Sequence, residues 1–310
     1  MKLTLDQIKK ITVGALRIWE DTDGVHFSKM TQAQEDAFLV IGNKNALSTT
    51  GVRLDFWTDS SFVTYTVLVD ARYEVKVDGV LTSHLHATAH TPITVTLPAD
   101  GHAHRVTICL PSHTVSGAFS CVELADGATL TPHKFDCKML FIGDSITQGW
   151  NSKLNTLSFA YLTSDHFNAE SVIQGVGGAC YNATTLAPME FAPDVIVVAY
   201  GTNDSNRCRT LSEIEQNCSD YLEKLVSLFP GVPTYVITPP WRTDIEMPKP
   251  YGSIRQVSSV IRGVAEGLSL CVIDGFTLIP ENPDMMADVL HPNDLGFCVY
   301  AHNLIKQLKF

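Results

Sequence analysis

Apolar and polar positions divide this chain into two parts with different rhythms. From about residue 14 to residue 130 the apolar side chains come in short runs separated by turn residues. Residues 52–58 alternate apolar and polar side chains, as a half-buried strand does. Residues 63–69 are rich in β-branched side chains. Residues 73–77 run into Asp78-Gly79, a hairpin signal, and then into 80–82. Residues 93–97 and 105–110 complete the series, and this regular spacing of short strands predicts a β-sandwich of jelly-roll type. Residues 125–134 read as a linker, which divides the chain into residues 1–133 and 134–310.

Beyond residue 136 strands and helices alternate, so a parallel sheet with helices on both faces is expected. Residues 138–142 form a short apolar run, the form of a strand buried on both sides, and 152–167 read as the following helix. Further strands are predicted at 171–173, 194–200, 234–238 and 270–274, and helices at 212–229, 254–268 and 294–308. Ser212 and Glu215 have capping-box spacing, and Ile214, Cys218, Tyr221, Leu222, Leu225 and Leu228 make one apolar helical face.

Three strand ends in this half carry unusual residues: Gly143-Asp144-Ser145, Gly175-Val176-Gly177-Gly178 and Gly201-Thr202-Asn203-Asp204. The carboxyl ends of strands are where open α/β sheets place ligands. A serine flanked by glycine in such a turn is a candidate nucleophile, although an Asp-Ser pair is equally a helix cap. The glycines of the second turn are too close together for a dinucleotide fingerprint, and no P-loop lysine follows. Bare glycines can offer N–H groups to an oxyanion, and Asn203 adds a side-chain amide. Before the last helix stands Asp288-Val289-Leu290-His291-Pro292. The three-residue spacing lets Asp288 reach Nδ1 of His291 while Nε2 faces outward, the arrangement of a general base oriented by a carboxylate. Pro292 disfavours a helical conformation at His291.

In this order the four blocks resemble those of the SGNH hydrolases, the GDSL-type esterases and lipases, over residues 138–310. The resemblance implies a flavodoxin-like sheet and serine-hydrolase chemistry. Ser145, Gly178, Asn203 and His291 would be the four signature positions and Asp288 the partner of His291. The oxyanion would be held by the N–H groups of Ser145 and Gly178 and by the Asn203 amide. Gln174 stands near where the family usually carries Asn, and Gly177 is the alternative to Gly178. Asp144 would brace the turn. The serine lies outside a G-x-S-x-G elbow because Thr occupies position 147, unlike the ordinary α/β-hydrolases. A preceding β-sandwich resembles the two-domain carbohydrate esterases.

Composition narrows the partners. A formal charge of −11 with no basic run excludes a nucleic-acid surface. No apolar stretch approaches a membrane span, the N-terminus lacks the apolar core of a secretory signal, and the 8 cysteines form no C-x-x-C pair. A cytoplasmic protein with reduced, mostly buried thiols is expected. His84, His86, His90, His102 and His104 cluster in the first part but read as solvated hairpin ends rather than a metal site, and the serine chemistry that the resemblance implies requires neither a metal nor an organic cofactor. Trp150, Tyr181, Trp241 and Arg242 lie near strand ends and are candidates for holding a sugar ring or a polar leaving group. The expected activity is hydrolysis of short-chain acyl esters, O-acetyl above all, of a carbohydrate or small glycoside. The alternatives are a thioesterase or lysophospholipase-like acylhydrolase of longer chains, and a sugar-binding protein without catalysis. A homo-oligomer is compatible with the sequence.

Overall fold

A computed structural model of the chain describes residues 1–247 and 252–310. The second part is a five-stranded parallel sheet. Its spatial order is Ala169–Gly175, Cys137–Gly143, Val195–Ala199, Thr234–Ile237, Cys271–Ile273. Numbered along the chain this is order 2-1-3-4-5, the flavodoxin-like winding. Alternation along the strands sorts the core into two layers. Leu140, Ile142, Ile196, Val198 and Val236 pack beneath the helices Leu211–Leu228 and Ile254–Gly267. Met139, Phe141, Val195, Val197 and Ile237 pack with Phe159, Phe297 and Tyr300, from the helices Phe159–His166 and Asp294–Ile305. Near-continuous apolar strands are what burial on both faces requires.

The first part contains two antiparallel sheets. One carries Thr12–Val13, Arg53–Thr58, His104–Cys109, Ala71–Val77 and Val80–Ala87 in that order. The other carries Arg17–Glu20, Val25–Ser28, Ala118–Leu124, Phe62–Val67 and Pro92–Thr96. Phe27, Leu54, Phe56, Val63, Tyr65, Tyr73, Val106, Ile108 and Phe119, drawn from both sheets, share one apolar core. Asp78 and Gly79, at φ 51° and 80°, form the expected tight hairpin turn.

Several expectations need correction. Residues 125–134 are not a free linker, since Thr131 and Pro132 pair with Trp57 and Phe56. The helix expected from residue 152 begins at Phe159, where Ser158 caps it after a 3₁₀ turn at Asn155–Leu157. The 212–229 helix starts one residue earlier, and its cap is Thr210, which accepts the N–H of Glu213, rather than Ser212 paired with Glu215. The helix Gln32–Val40 interrupts the stretch that read as short strands, the helix Leu5–Ile11 precedes it, and both carry Thr-x-x-Gln capping boxes. His104 is not solvated. Asp78 Oδ2 and Asp100 Oδ1 hold its ring nitrogens at 2.6 and 3.0 Å, and the bond to Asp78 foremost pushes its pKa up. All 8 cysteines are free, and Cys271 and Cys298 are exposed. Among the described residues no helix is long and apolar enough to cross a membrane.

Candidate active site

The strand Cys137–Gly143 ends where only glycine fits. A Cβ on Gly143 would lie 2.0 Å from Thr147 Oγ1 and 2.6 Å from the Ala199 carbonyl. The chain then turns into the short helix Ser145–Gln148, with Asp144 Oδ1 accepting the Ile146 N–H at 2.9 Å. Asp144 is thus the helix cap, and Ser145 is left free to point into the cleft. The capping and nucleophile readings of Asp-Ser are compatible, because the cap uses Asp144 and leaves the Ser145 hydroxyl uncommitted to it.

Ser145 Oγ lies 2.8 Å from His291 Nε2, and His291 Nδ1 lies 2.8 Å from Asp288 Oδ2. The other carboxylate oxygen, Oδ1, accepts the N–H groups of Leu290 and His291 at 2.8 and 2.7 Å. Asn151 Nδ2 donates to Oδ2 at 2.7 Å, a contact between residues 137 positions apart that no local pattern announces. Burial pushes the Asp288 carboxyl up, but the His291 N–H, the His291 ring and the Leu290 N–H outweigh it and hold the group below its ordinary range. The carboxylate is therefore ionised where it faces the imidazole. The Ala287 N–H to His291 carbonyl bond, 2.8 Å, closes the loop that carries both residues.

The facing wall is the glycine turn. The N–H of Gly177 is committed to Gln148 Oε1 at 2.8 Å, while Gly178, at φ 76°, lines the cleft. Among the described residues the N–H groups of Ser145 and Gly178 have no protein partner. Asn203 also lines the cleft. Its Nδ2 donates to the Ala179 carbonyl at 3.0 Å and lies 3.4 Å from Asp144 Oδ2. Asp204 beneath it accepts the N–H groups of Tyr181 and Gly201. Burial pushes Asp144 up to about 7 and Asp204 up to about 6, against the hydrogen bonds each accepts. Neither carboxyl lines the cleft.

The cleft measures about 910 Å³ and opens over Ser145 and His291. Trp150 lines it, packed edge-on against His113 at 5.1 Å and 6.4 Å from the His291 ring. Tyr181 borders it too, but the ring is only 2% exposed and packs against Tyr200 and Tyr221, so it presents no stacking face. Trp241 and Arg242, 7% and 4% exposed, lie outside the cleft lining, and Arg242 is paired with Asp244. Their expected role in holding substrate is corrected accordingly, because both side chains are buried away from the cleft. The sequence reading missed Asn43, Asn45 and Arg207, which do line the cleft. Arg207 Nη2 would touch a Cβ on Gly178 at 3.0 Å. Among the described residues no group of three or more His, Cys, Asp or Glu is placed to hold a metal ion. A hydroxyl on an imidazole, the imidazole on a carboxylate, and free N–H donors opposite are the components of acyl transfer through a serine ester.

Comparison with known proteins identifies the family. Residues 141–297 match the GDSL-like lipase/acylhydrolase family. Among curated proteins no relative matches the chain. A salicylyl-acyltransferase from a tetracycline biosynthetic pathway is similar in structure, at TM-score 0.78 and 19% identity over 94% of this chain and 92% of that one. A family two carbohydrate esterase from Cellvibrio japonicus matches at TM-score 0.72 and 16% identity, over 99% and 96%. Another from Clostridium thermocellum, solved with cellohexaose, matches at 0.70 and 15%, over 96% and 97%. At such identities these neighbours speak for the fold alone. The family match spans just over half of the sequence and contains the serine turn, the glycine turn, Asn203, Asp288 and His291. The chain belongs to the GDSL-like lipase/acylhydrolase family and is an ester-hydrolysing enzyme.

Proposed function

We propose that this enzyme cleaves short-chain acyl esters, O-acetyl groups above all, from a carbohydrate or small glycoside, using Ser145, His291 and Asp288. The observation that carries the reading is the unbroken row Ser145 Oγ, His291, Asp288, with 2.8 Å at each junction. Ser145 Oγ attacks the ester carbonyl as its proton passes to His291 Nε2. The Asp288 carboxylate holds the imidazole in the tautomer with the proton on Nδ1 and stabilises the imidazolium. The N–H groups of Ser145 and Gly178 and the Asn203 amide receive the oxyanion, each such donor being worth about 10²–10³ in turnover. The commitment of the Gly177 N–H to Gln148 favours Gly178 over Gly177 as the backbone donor. His291 then protonates the leaving alcohol. Water, deprotonated by the same base, attacks the acyl-enzyme and releases the acid and free Ser145.

Two observations support a sugar ester. Asparagines and the Trp150 ring share the cleft wall, a mixture of amide donors and an aromatic face suited to hydroxyl-rich rings. Structural neighbours include carbohydrate esterases, one of them solved with a cello-oligosaccharide. The division of labour we propose is a catalytic region, 134–310, and an N-terminal region, 1–133, whose two sheets over one core fit a β-sandwich. A second reading, cleavage of longer acyl chains, is favoured by Phe38, Ile41 and Leu290, which make part of the cleft apolar.

A series of p-nitrophenyl esters from acetyl to decanoyl separates the two, since the proposed enzyme turns over the acetyl ester fastest. Ser145→Ala should lower turnover of p-nitrophenyl acetate at least about 10³-fold. A variant that keeps wild-type turnover removes Ser145 from the mechanism.

A further inference from the structure

The residues that fix the glycine turn come from the other end of the chain. Asn43 and Asn45 follow the helix Gln32–Val40, in the N-terminal region. Their side-chain amides both donate to the carbonyl of Gly177, at 3.1 and 2.9 Å. That carbonyl and the Gly178 N–H belong to one planar trans peptide unit, so the two groups point in opposite directions along a rigid plate. Holding the oxygen from two sides therefore fixes the direction of the N–H. Donation to the carbonyl also polarises the amide and strengthens its N–H as a donor.

The plate is held from its other neighbours as well. Gln148 Oε1 accepts the Gly177 N–H, and Gln148 Nε2 donates to Ser48 Oγ at 2.9 Å and to the His113 carbonyl at 2.6 Å. Behind Ser48 the fully buried Lys29 donates to Ser48 Oγ at 2.7 Å and to the Gly175 carbonyl at 2.8 Å. Gln34 and Gln174 exchange hydrogen bonds at 3.1 and 3.0 Å one strand position before Gly175. Every one of these supports except Gln148 and Gln174 lies before residue 134.

We propose that Asn43 and Asn45 are positioning residues for the oxyanion donor, and that residues 29–50 thereby form a working part of the active site. The inference rests on the serine-esterase reading above. It gives the N-terminal region a task in the chemical step, beyond covering the cleft or holding the alcohol.

The test uses the full chain with p-nitrophenyl acetate, a substrate too small to need a sugar subsite. Asn45→Ala and Asn43→Ala are each expected to lower kcat about tenfold with KM within about twofold, and the double variant about 10²–10³-fold, as for loss of one oxyanion donor. Asn45→Ser, which keeps a donor, should recover part of the loss. Asn45→Asp, isosteric but without a donor, should recover none. The rate of Ser145 labelling by a fluorophosphonate should fall in parallel with kcat, because that reaction also builds charge on an oxygen in the same hole. If the double variant fails to fold, the single variants decide, since each leaves one amide on the carbonyl. Wild-type kcat in both single variants, with or without a raised KM, overturns the proposal. Wild-type enzyme that the fluorophosphonate fails to label at Ser145 overturns the underlying esterase reading instead.

Discussion

Replacing Asp288 by asparagine separates orientation of His291 from folding of the loop that holds it. The new side chain would keep one carbonyl oxygen, enough to accept the N–H groups of Leu290 and His291 that Oδ1 now receives at 2.8 and 2.7 Å. The loop geometry should survive. The amide nitrogen, however, would replace Oδ2, which now accepts from His291 Nδ1 and from Asn151 Nδ2. Three donors would then converge where one acceptor stood. The least costly relief moves the imidazole proton to Nε2, so that Nδ1 accepts from the new amide. Nε2 then points a proton at Ser145 Oγ and cannot remove one. A tautomer error of this kind costs about 10⁴ in kcat in a serine-protease triad, or about 5 kcal/mol of barrier. Stability should change far less, by about 1–2 kcal/mol for the loss of one charge-assisted bond. The assay is steady-state hydrolysis of p-nitrophenyl acetate beside a thermal melt. An Asp288→Asn enzyme with kcat within tenfold of wild type and an unchanged melt would refute the argument, because a different group would then be orienting His291. Asn151→Ala, which leaves Asp288 its three bonds to Leu290 and His291, should lower kcat less than tenfold.

Three further predictions test other links. Gly175→Ala should destabilise the fold by at least about 2 kcal/mol in urea unfolding, because its Cβ would lie 2.4 Å from the Gln148 backbone nitrogen, an overlap that backbone cannot relieve cheaply. Gly178→Ala should fold but lose about tenfold in kcat. Its Cβ meets only the flexible end of Arg207, and the strain of φ 76° tilts the donor. Lys29 should make stability depend on pH. Burial lowers its pKa from 10.5 to about 7, with Glu35 opposing, so between these values the unfolded chain binds the extra proton. Stability from this group therefore rises as pH goes from 7 to 10, by up to about 1.4 kcal/mol per pH unit. Urea melts at pH 7 and 9.5 should show a rise in wild type that Lys29→Met lacks.

What the sequence carries and what it hides follow from the range of the interactions involved. The strands and helices of the second part were legible because each is set by a local period and by local punctuation. The apolar runs 138–142 and 194–200 have the form of strands buried on both faces, and Asp288 reaches His291 within three residues. Boundaries slipped where a cap had a rival, as at Thr210 against Ser212. The helix Gln32–Val40 escaped because it is short and presents no long apolar stripe, burying Gln34 and Glu35 beside Phe38. Glu35 is buried for a reason that no local pattern contains: it receives Arg17 at 2.6 Å and lies in the field of Lys29. Trp241 and Arg242 misled for a related reason. A strand end facing a cleft and a strand end covered by the next loop read alike, and only the pairing with Asp244 tells them apart.

The polar seam between the two parts gives this a physical meaning. A hydrogen bond such as Asn45 to Gly177 joins residues 132 positions apart, and that of Lys29 to Gly175 spans 146. Burying so many amides and an amine is unfavourable unless every donor finds an acceptor, since each unpaired group would cost about 1–3 kcal/mol. The seam meets that condition closely: Lys29 Nζ donates to Ser48 Oγ and to the Gly175 carbonyl, and the Gln148 amide is used at its oxygen and its nitrogen. Apolar packing of the same shape would hold two parts together with less risk, so stability alone does not explain the choice. Apolar contacts, however, fix no direction, whereas a carbonyl held by two amides points its peptide N–H one way. An esterase that needs a donor aimed at a developing oxyanion gains from the polar seam what an apolar one could not give it, and Ser145 gains a partner wall built largely by residues the serine motif does not contain.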